Sequence, residues 1–226
     1  SKLKIRVYYY TLILFIFFSH IILVSAAGAV NKIMPLGDSI TRGWPSGVIP
    51  DSEEYYISYR KALWDDLIAA GYDIDFVGSL NSGSAVFGAT EPADHEGHGG
   101  WRDDHILNGK PDDPGAGKLA DWLFDHDPDI VLRHIGTNGL DPDPSDVENI
   151  LNIIDAYSEE IIVILARIIN QNVYSQITTD FNDNVQAMAE ARIDMGDEII
   201  IVDMEDGAEI DYRLETDGGD MADNLH

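Results

Sequence analysis

Apolar runs alternate with amphipathic segments along most of the chain. Four short runs are almost continuously apolar, which is typical of strands buried on both faces of a sheet; they span 32–36, 129–135, 161–166 and 198–203. A further segment at 73–78 alternates apolar and polar positions and is also predicted to be a strand. Apolar residues recur at helical spacing between these runs, so helices are predicted at 54–70, 117–126, 144–157 and 174–195.

This alternation predicts a parallel sheet covered by helices on both faces. The expected fold class is therefore α/β, a three-layer α/β/α sandwich around a parallel five-stranded sheet. The stretch 79–100 is rich in glycine and histidine and carries no period, so a loop is expected there. Ligands of such sheets bind beyond the carboxyl ends of the strands, which is where Ser39 and Asn138 both fall.

The first residues have the layout of a secretory signal. Basic residues precede an apolar run at 11–24, and small residues follow it. We expect residues 1–27 to be a cleaved signal peptide and the protein to be secreted, to the extracellular space or the periplasm. An uncleaved or lipid-linked membrane anchor is the alternative, although the apolar run is short for a span and the absence of cysteine excludes bacterial lipoprotein attachment. Residues 30–226 then suit one compact domain.

Charge and composition exclude several classes of function. The chain has 14 Lys and Arg against 41 Asp and Glu, a formal net charge of -27 that would repel nucleic acid and anionic membrane surfaces. We therefore expect no nucleic-acid partner, and no stable membrane association after signal cleavage. There is no cysteine, which excludes disulfides, thiolate nucleophiles and cysteine-based zinc sites.

Two short motifs are candidates for catalysis. Ser39 lies within Gly37-Asp38-Ser39, directly after an apolar run, and the end of a strand is a suitable place for an exposed nucleophile. Ordinary turns use the same residue types, however. Asp223 and His226 are one helical turn apart, so the carboxylate could orient the imidazole. A serine hydroxyl needs such a base, but an acidic chain also forms solvated Asp–His surface pairs by chance.

Four sequence blocks in order resemble those of the SGNH (GDSL-type) hydrolases. The blocks are Gly37-Asp38-Ser39, a glycine in His98-Gly99-Gly100-Trp101, Gly136-Thr137-Asn138, and Asp223 with His226. The segments 33–43 and 94–102 further resemble carbohydrate esterase family 3, whose members include acetylxylan esterases. The resemblance implies a flavodoxin-like sheet with the strand order 2-1-3-4-5.

The resemblance also implies a role for each block. Ser39 would be the nucleophile, His226 the general base and acid, and Asp223 the group that orients His226. The oxyanion hole would consist of the backbone N–H groups of Ser39 and Gly100 and the side-chain amide of Asn138. The residues beside these blocks are candidates for substrate binding: Asp38, Trp101 and Arg102.

The implied activity is hydrolysis of a carboxylic ester through an acyl-enzyme. The expected substrate is a small ester or an acetylated polysaccharide, and neither a metal nor an organic cofactor is needed. A lipid or lysophospholipid esterase and a thioesterase are alternatives of the same fold. A non-catalytic carbohydrate-binding domain is the alternative from another class.

The chain also departs from the family pattern. Gly139 replaces the aspartate that usually follows the block asparagine, so a carboxylate that braces this loop is missing. The proline and the helix that usually follow the catalytic histidine do not follow His226. We therefore expect a domain truncated at its C-terminus, and a fragment of low activity.

Other polar clusters have simpler interpretations. His95 and His98 are three positions apart rather than four, among glycines, so a solvent-facing substrate loop is expected there rather than a zinc site. His134 interrupts an apolar strand and is expected to be a hydrogen-bonded core histidine. The acidic segment 141–146 carries clustered carboxylates but has two prolines and lacks the central glycine of a calcium loop, so a helix-entry turn is expected there, with Ser145 as the helix cap.

Overall fold

The computed structural model describes residues 30–43, 52–88 and 91–226, so the predicted signal peptide at 1–27 lies outside the described residues. The strands are β1 Asn31–Gly37, β2 Ile74–Phe76, β3 Leu80–Asn81, β4 Asp94–Gly97, β5 Ile130–His134, β6 Ile162–Arg167 and β7 Ile199–Asp203. The α-helices are α1 Ser39–Arg42, α2 Arg60–Ala69, α3 Asp103–Asn108, α4 Leu119–His126, α5 Ser145–Tyr157 and α6 Gln176–Met195. Short 3-10 helices lie at Glu53–Tyr55, Pro114–Ala116 and Glu215–Asp217.

The predicted parallel sheet is present, with β1 near its centre. β1 pairs in parallel with β2 on one side and with β5 on the other, and β6 and β7 continue the sheet beyond β5. In the numbering of the five predicted strands this is the order 2-1-3-4-5. The predicted fold class and strand order are therefore confirmed.

The expectation of a loop at 79–100 is wrong in part, because β3 and β4 form within it. β4 runs parallel to β1 where β2 has ended, with Gly37 opposite Gly97, and β3 is antiparallel to β4. The sheet therefore has seven strands rather than five. His95 and Glu96 of β4 are fully buried although both are polar, so this strand carries no hydrophobic period.

Some helix boundaries also differ from those expected. The first long helix begins at Arg60 rather than at residue 54, and α3 lies where no helix was expected. Ser145 is the first residue of α5 and not its cap; its N–H and hydroxyl both donate to the carboxylate of Asp143, at 3.0 and 2.5 Å. The segment is thus a helix-entry turn, as predicted.

Helices cover both faces of the sheet. One apolar cluster packs α3, α4, α5 and α6 against the face that carries Met34 and Val131. The other packs α2 against the face that carries Ile33 and Leu132. Within the described part of the chain, no helix is both long enough and apolar enough to cross a membrane.

Arg60 joins several loops on the α2 face of the sheet. Its guanidinium is fully buried and donates to backbone carbonyls from separate parts of the chain: Thr41, Arg42, Tyr56, Ser82 and Ala93. Burial lowers the pKa of Arg60 to about 10. The end of α1, which carries the candidate nucleophile, is therefore fastened to α2 and to the loops that flank β3 and β4.

Candidate active site

Ser39, His226 and Asp223 form a continuous hydrogen-bonded chain. The Oγ atom of Ser39 is 2.7 Å from Nε2 of His226, and Nδ1 of His226 is 2.9 Å from both carboxylate oxygens of Asp223. Since a carboxylate only accepts hydrogen bonds, Nδ1 carries a proton and the unprotonated Nε2 accepts from the Ser39 hydroxyl. The structure therefore brings together the three residues that the sequence marked as nucleophile, base and orienting acid.

The Asp223 carboxylate is itself held by the backbone. Its Oδ1 atom accepts the N–H groups of Leu225 at 2.7 Å and of His226 at 2.9 Å. Burial alone would raise the pKa of Asp223, but these bonds and the His226 ring outweigh burial, and the pKa lies below its ordinary value. The group facing the imidazole is therefore an anion at neutral pH.

Ser39 lies at the carboxyl end of β1, where the chain turns directly into α1. Asp38 caps this turn, because its Oδ1 accepts the N–H of Ile40 at 2.9 Å. A Cβ atom at Gly37 would overlap with the backbone oxygen of His134 and the side chain of Thr41. Only glycine fits this position, which lets the turn after β1 pack tightly against β5.

The proposed oxyanion donors come from three adjacent strands. Ser39 follows β1, Gly100 follows β4, and Asn138 follows β5, and the sheet places β1 between the other two. Gly100 is exposed, has a φ of 73° and lies in open space. Asn138 donates to the backbone oxygen of Trp101 at 2.9 Å, which ties the third donor to the loop of the second.

Two of the predicted substrate-binding residues do not face the substrate side, and both predictions are corrected. Asp38 is fully buried, because its side chain turns inward to cap α1. Trp101 is only 2% exposed, and its ring stacks on His98 with the ring centres 4.3 Å apart. Both side chains therefore pack in the interior beneath the site rather than contacting substrate.

The third such residue, Arg102, is exposed and stays a prediction. Its guanidinium makes two hydrogen bonds to Asp104, at 2.8 and 2.7 Å. Its aliphatic part lies so close over Gly139 that a Cβ there would overlap with Cδ of Arg102. The glycine that replaces the family aspartate thus makes room for Arg102, which covers the loop of Asn138.

The oxyanion loop 98–101 rests on a buried aromatic and acidic cluster that the sequence did not indicate. The expectation of a solvent-facing loop at 95–98 is wrong, because His98 stacks between Trp101 and Trp122 and its Nε2 lies 2.8 Å from the buried Glu96. Glu96 also accepts from the N–H and hydroxyl of Ser79, at 2.5 and 2.9 Å. The sequence does show a high density of His and Trp around two glycines, and this density is the signal that could have revealed the cluster.

A second serine and histidine are in contact nearby, but their bonding excludes a second nucleophile. The Oγ atom of Ser82 is 2.6 Å from Nε2 of His95, and Nδ1 of His95 accepts the N–H of Gly97 at 2.9 Å. Nε2 therefore carries the proton and donates to Ser82, so this ring cannot act as a base towards that hydroxyl. Burial lowers the pKa of His95 to about 2, which keeps the ring neutral.

His134 is buried as expected, but the prediction of a hydrogen-bonded ring is wrong. Neither ring nitrogen has a hydrogen-bond partner among the described residues. Burial lowers the pKa of His134 to about 4, so the ring is neutral. It adjoins a small apolar cavity of about 30 Å³ that Tyr59, Val202 and Met204 help to line.

A larger polar cavity of about 240 Å³ lies beside α1 and the oxyanion loop. Its lining includes Arg42, Asn81, Ser82, His98 and Gly99. Within 30–43, 52–88 and 91–226, no group of three or more His, Asp or Glu side chains is arranged to hold a metal ion.

Comparison with known proteins supports the resemblance seen in the sequence. No protein-family model matches the chain. Over 131 residues the chain is 36% identical to a multidomain esterase of Ruminococcus flavefaciens, a match that covers 52% of this chain and only 15% of that protein.

Two solved structures are similar over most of the chain. A family 3 carbohydrate esterase of Clostridium thermocellum has a TM-score of 0.62 and 28% identity, covering 77% of this chain and 78% of the other. A variant acetyl esterase with an acetate ion has a TM-score of 0.63 and 24% identity, covering 84% and 87%. The predicted fold and the resemblance to family 3 carbohydrate esterases are confirmed.

Proposed function

We propose that this chain, with the fold of the family 3 carbohydrate esterases, is a serine esterase that removes acyl groups through a covalent acyl-enzyme. The observation that carries the proposal is the hydrogen-bonded chain from the Ser39 hydroxyl through His226 to Asp223. Its order and protonation are those that a serine needs to become a nucleophile.

In the first half of the reaction, the Ser39 hydroxyl attacks the ester carbonyl while Nε2 of His226 takes its proton. Asp223 stabilises the resulting imidazolium across the 2.9 Å contact. When the tetrahedral intermediate collapses, the bond to the alcohol breaks and His226 gives its proton to the leaving oxygen. In the second half, His226 takes a proton from water as the water oxygen bonds to the acyl carbon. When this second intermediate collapses, the bond between that carbon and the Ser39 Oγ breaks, His226 returns its proton to Oγ, and the acid leaves.

The negative oxygen of each tetrahedral intermediate would lie between the donors of Ser39, Gly100 and Asn138. The first N–H of α1 is not used within the helix, and among the described residues the Gly100 N–H has no acceptor. Asn138 uses its amide on Trp101 but has a second N–H to offer. Loss of one such donor costs about 3 kcal/mol of transition-state stabilisation.

The favoured substrate is an acetylated polysaccharide. The similar proteins named above are a multidomain esterase, a family 3 carbohydrate esterase and an acetyl esterase, which supports acetyl as the acyl group and carbohydrate as the alcohol. The polar cavity beside α1, which Asn81, Ser82 and Gly99 help to line, also suits a hydroxyl-rich ligand better than an acyl chain.

Export belongs to the same proposal. An external polysaccharide can be reached only by an exported enzyme, and the layout of residues 1–27 is that of a secretory signal. Expression of the chain in a secreting host, followed by N-terminal sequencing of the exported product, tests this directly. A product that stays membrane-bound with residues 1–27 intact would favour the anchor instead.

Hydrolysis of a short-chain aryl acetate tests the esterase itself. We expect turnover that Ser39→Ala reduces by at least about a thousandfold, whereas Ser158→Ala, which alters a half-buried serine directly after α5, leaves it unchanged. Turnover that survives Ser39→Ala would contradict the assignment. Glycan binding without Ser39-dependent turnover would favour a carbohydrate-binding domain.

The substrate class needs a separate comparison. We expect faster release of acetate from acetylated xylan than cleavage of long-chain acyl esters or acyl thioesters at equal ester concentration. A preference for long acyl chains would instead indicate a lipid esterase. Equal rates on all three substrates would remove the argument for a polysaccharide.

A further inference from the structure

The segment that carries Asp223 and His226 has no regular structure of its own. Residues 222–226 form neither helix nor strand. The ladders of the sheet hold Ser39 and the oxyanion donors, but they do not reach this segment. Within the described residues, its position relative to Ser39 therefore depends on side-chain and loop contacts.

Asn224, between the acid and the base, makes the contacts that join this segment to a neighbouring loop. Its Nδ2 donates to Oε1 of Gln171 at 3.1 Å, and its Oδ1 accepts the N–H of Val173 at 3.1 Å. Its backbone oxygen accepts the N–H of Asn172 at 3.0 Å. One residue thus bonds to three consecutive positions of the loop that follows β6.

That loop is in turn held by Asn170. The Asn170 side-chain oxygen accepts the N–H groups of Gln171 and Ser175, both at 2.8 Å, so it closes the loop at each end. The Asn170 N–H donates to the hydroxyl of Tyr212 at 3.0 Å, and Asn172 donates to the Tyr212 backbone oxygen at 2.8 Å. These hydrogen bonds hold the conformation of the loop independently of its contacts with Asn224.

The buried carboxylate of Glu205 anchors this arrangement. Glu205 is 4% exposed and accepts from Asn170 at 2.7 Å, Thr179 at 2.5 Å, Asn182 at 2.9 Å and Arg167 at 3.1 Å. Burial alone would raise the pKa of Glu205, but these hydrogen bonds outweigh burial, and its pKa lies below the ordinary value. Four donors converge on one anion, which makes the anchor rigid.

We propose that Asn224 is a positioning residue of the esterase, which transmits the rigid Glu205 and Asn170 anchor to the Asp223–His226 pair. Asn224 does not touch the reacting atoms; it holds the imidazole at hydrogen-bonding distance from the Ser39 hydroxyl. The inference rests on the esterase function proposed above. A displacement of about 1 Å at a catalytic base can reduce a rate by about a hundredfold, so such a contact has a measurable effect.

Asn224→Ala is the direct test, with Asn152→Ala as the matched control. The control also removes an exposed asparagine side chain with a hydrogen bond, here from Arg192 at 2.6 Å, far from Ser39 in sequence and in a different part of the fold. On the aryl acetate we expect Asn224→Ala to lower kcat at least about tenfold with KM within about twofold, because orientation rather than binding is lost. The control should keep both constants.

A second variant covers the case in which Asn224→Ala does not fold. Gln171→Ala removes only the contact with Nδ2 of Asn224 and leaves residues 222–226 intact. We expect it to lower kcat by about threefold to tenfold, again without a change in KM. A kcat within about twofold of the parent in every variant that folds would overturn the inference.

A spectroscopic measurement separates failure of this inference from failure of the proposed function. The proton on Nδ1 of His226, assigned by its absence in His226→Ala, reports the hydrogen bond to Asp223 whether or not an ester is hydrolysed. We expect its downfield NMR signal to move upfield or broaden in Asn224→Ala and not in Asn152→Ala. If the parent shows no Ser39-dependent turnover, an unchanged signal in Asn224→Ala overturns the positioning role by itself.

Discussion

The buried carboxyl of Asp38 makes the stability of the fold depend on pH in a direction opposite to that of ordinary carboxylates. Burial raises the pKa of Asp38 from 3.8 to about 7; the N–H of Ile40 and the charge of Arg133 oppose this, and the nearby Asp103 adds to it. Its Oδ2 atom has no hydrogen-bond partner among the described residues. Asp38→Asn keeps the oxygen that caps α1 and removes the titration.

The sign and size of the effect follow from proton linkage. Between pH 3.8 and about 7 the native state keeps a proton that the unfolded chain has released, so the free energy of unfolding falls as the pH rises. The slope is about 1.4 kcal/mol per pH unit, and the whole loss is about 4 kcal/mol above pH 7. This is an upper value, because relaxation around a buried charge reduces its cost.

Urea unfolding of the parent and of Asp38→Asn, followed by tryptophan fluorescence from about pH 4.5 to about pH 8, measures the effect. Carboxylates that do not interact with Asp38 titrate alike in both proteins, so the difference between the two free energies of unfolding reports Asp38 together with its coupling to Asp103. We expect the variant to gain stability over the parent steadily as the pH rises. A difference that stays constant within about 0.5 kcal/mol across this range would refute the reasoning.

Three further predictions use other features. Gly71→Ala should lower the free energy of unfolding by about 1 kcal/mol, because Gly71 has a positive φ. Gly139→Ala should lower it by about 2 kcal/mol or more, because Gly139 also has a positive φ and in addition lies under Arg102. Equal losses in urea unfolding would contradict this. His134→Leu should raise the free energy of unfolding by about 1 kcal/mol by removing unpaired buried nitrogens, and a loss would point to a hidden partner. Finally, the protein has a net charge of -27 and should repel an anionic substrate, and salt screens this repulsion. Hydrolysis of an acetylated polyanion should therefore speed up as NaCl rises from about 20 to about 200 mM, while hydrolysis of neutral acetylated xylan should not. Parallel salt profiles for the two substrates would contradict this prediction.

The sheet was predictable because its strands carry their own signal. Runs such as 161–166 are apolar at nearly every position, and their burial follows from composition alone. β4 gave no such signal, since His95 and Glu96 are buried by partners that lie elsewhere in the chain, Ser82 and Ser79. A polar strand of this kind becomes visible only when those partners are known.

The candidate site shows the same division. The order of the blocks marks which residues lie near the strand ends, and the structure brings Ser39, Asp223 and His226 together. Sequence order does not indicate side-chain direction, so Asp38 and Trp101 were expected to face the substrate although both point inward. The contacts of Asn224 also escaped prediction, because they depend on a loop more than 50 positions away.

The guanidinium of Arg60 has a consequence for how the molecule opens. In a chain without cysteine, one buried cation ties together five carbonyls that are separated by up to about 50 residues, as a covalent cross-link would in another protein. None of these loops can detach alone without leaving the cation under-solvated, so they should exchange their amide hydrogens as one cooperative unit. The loops bound by Arg60, which lie beside the nucleophile, then populate two states, closed or locally unfolded, with few partly open states between them.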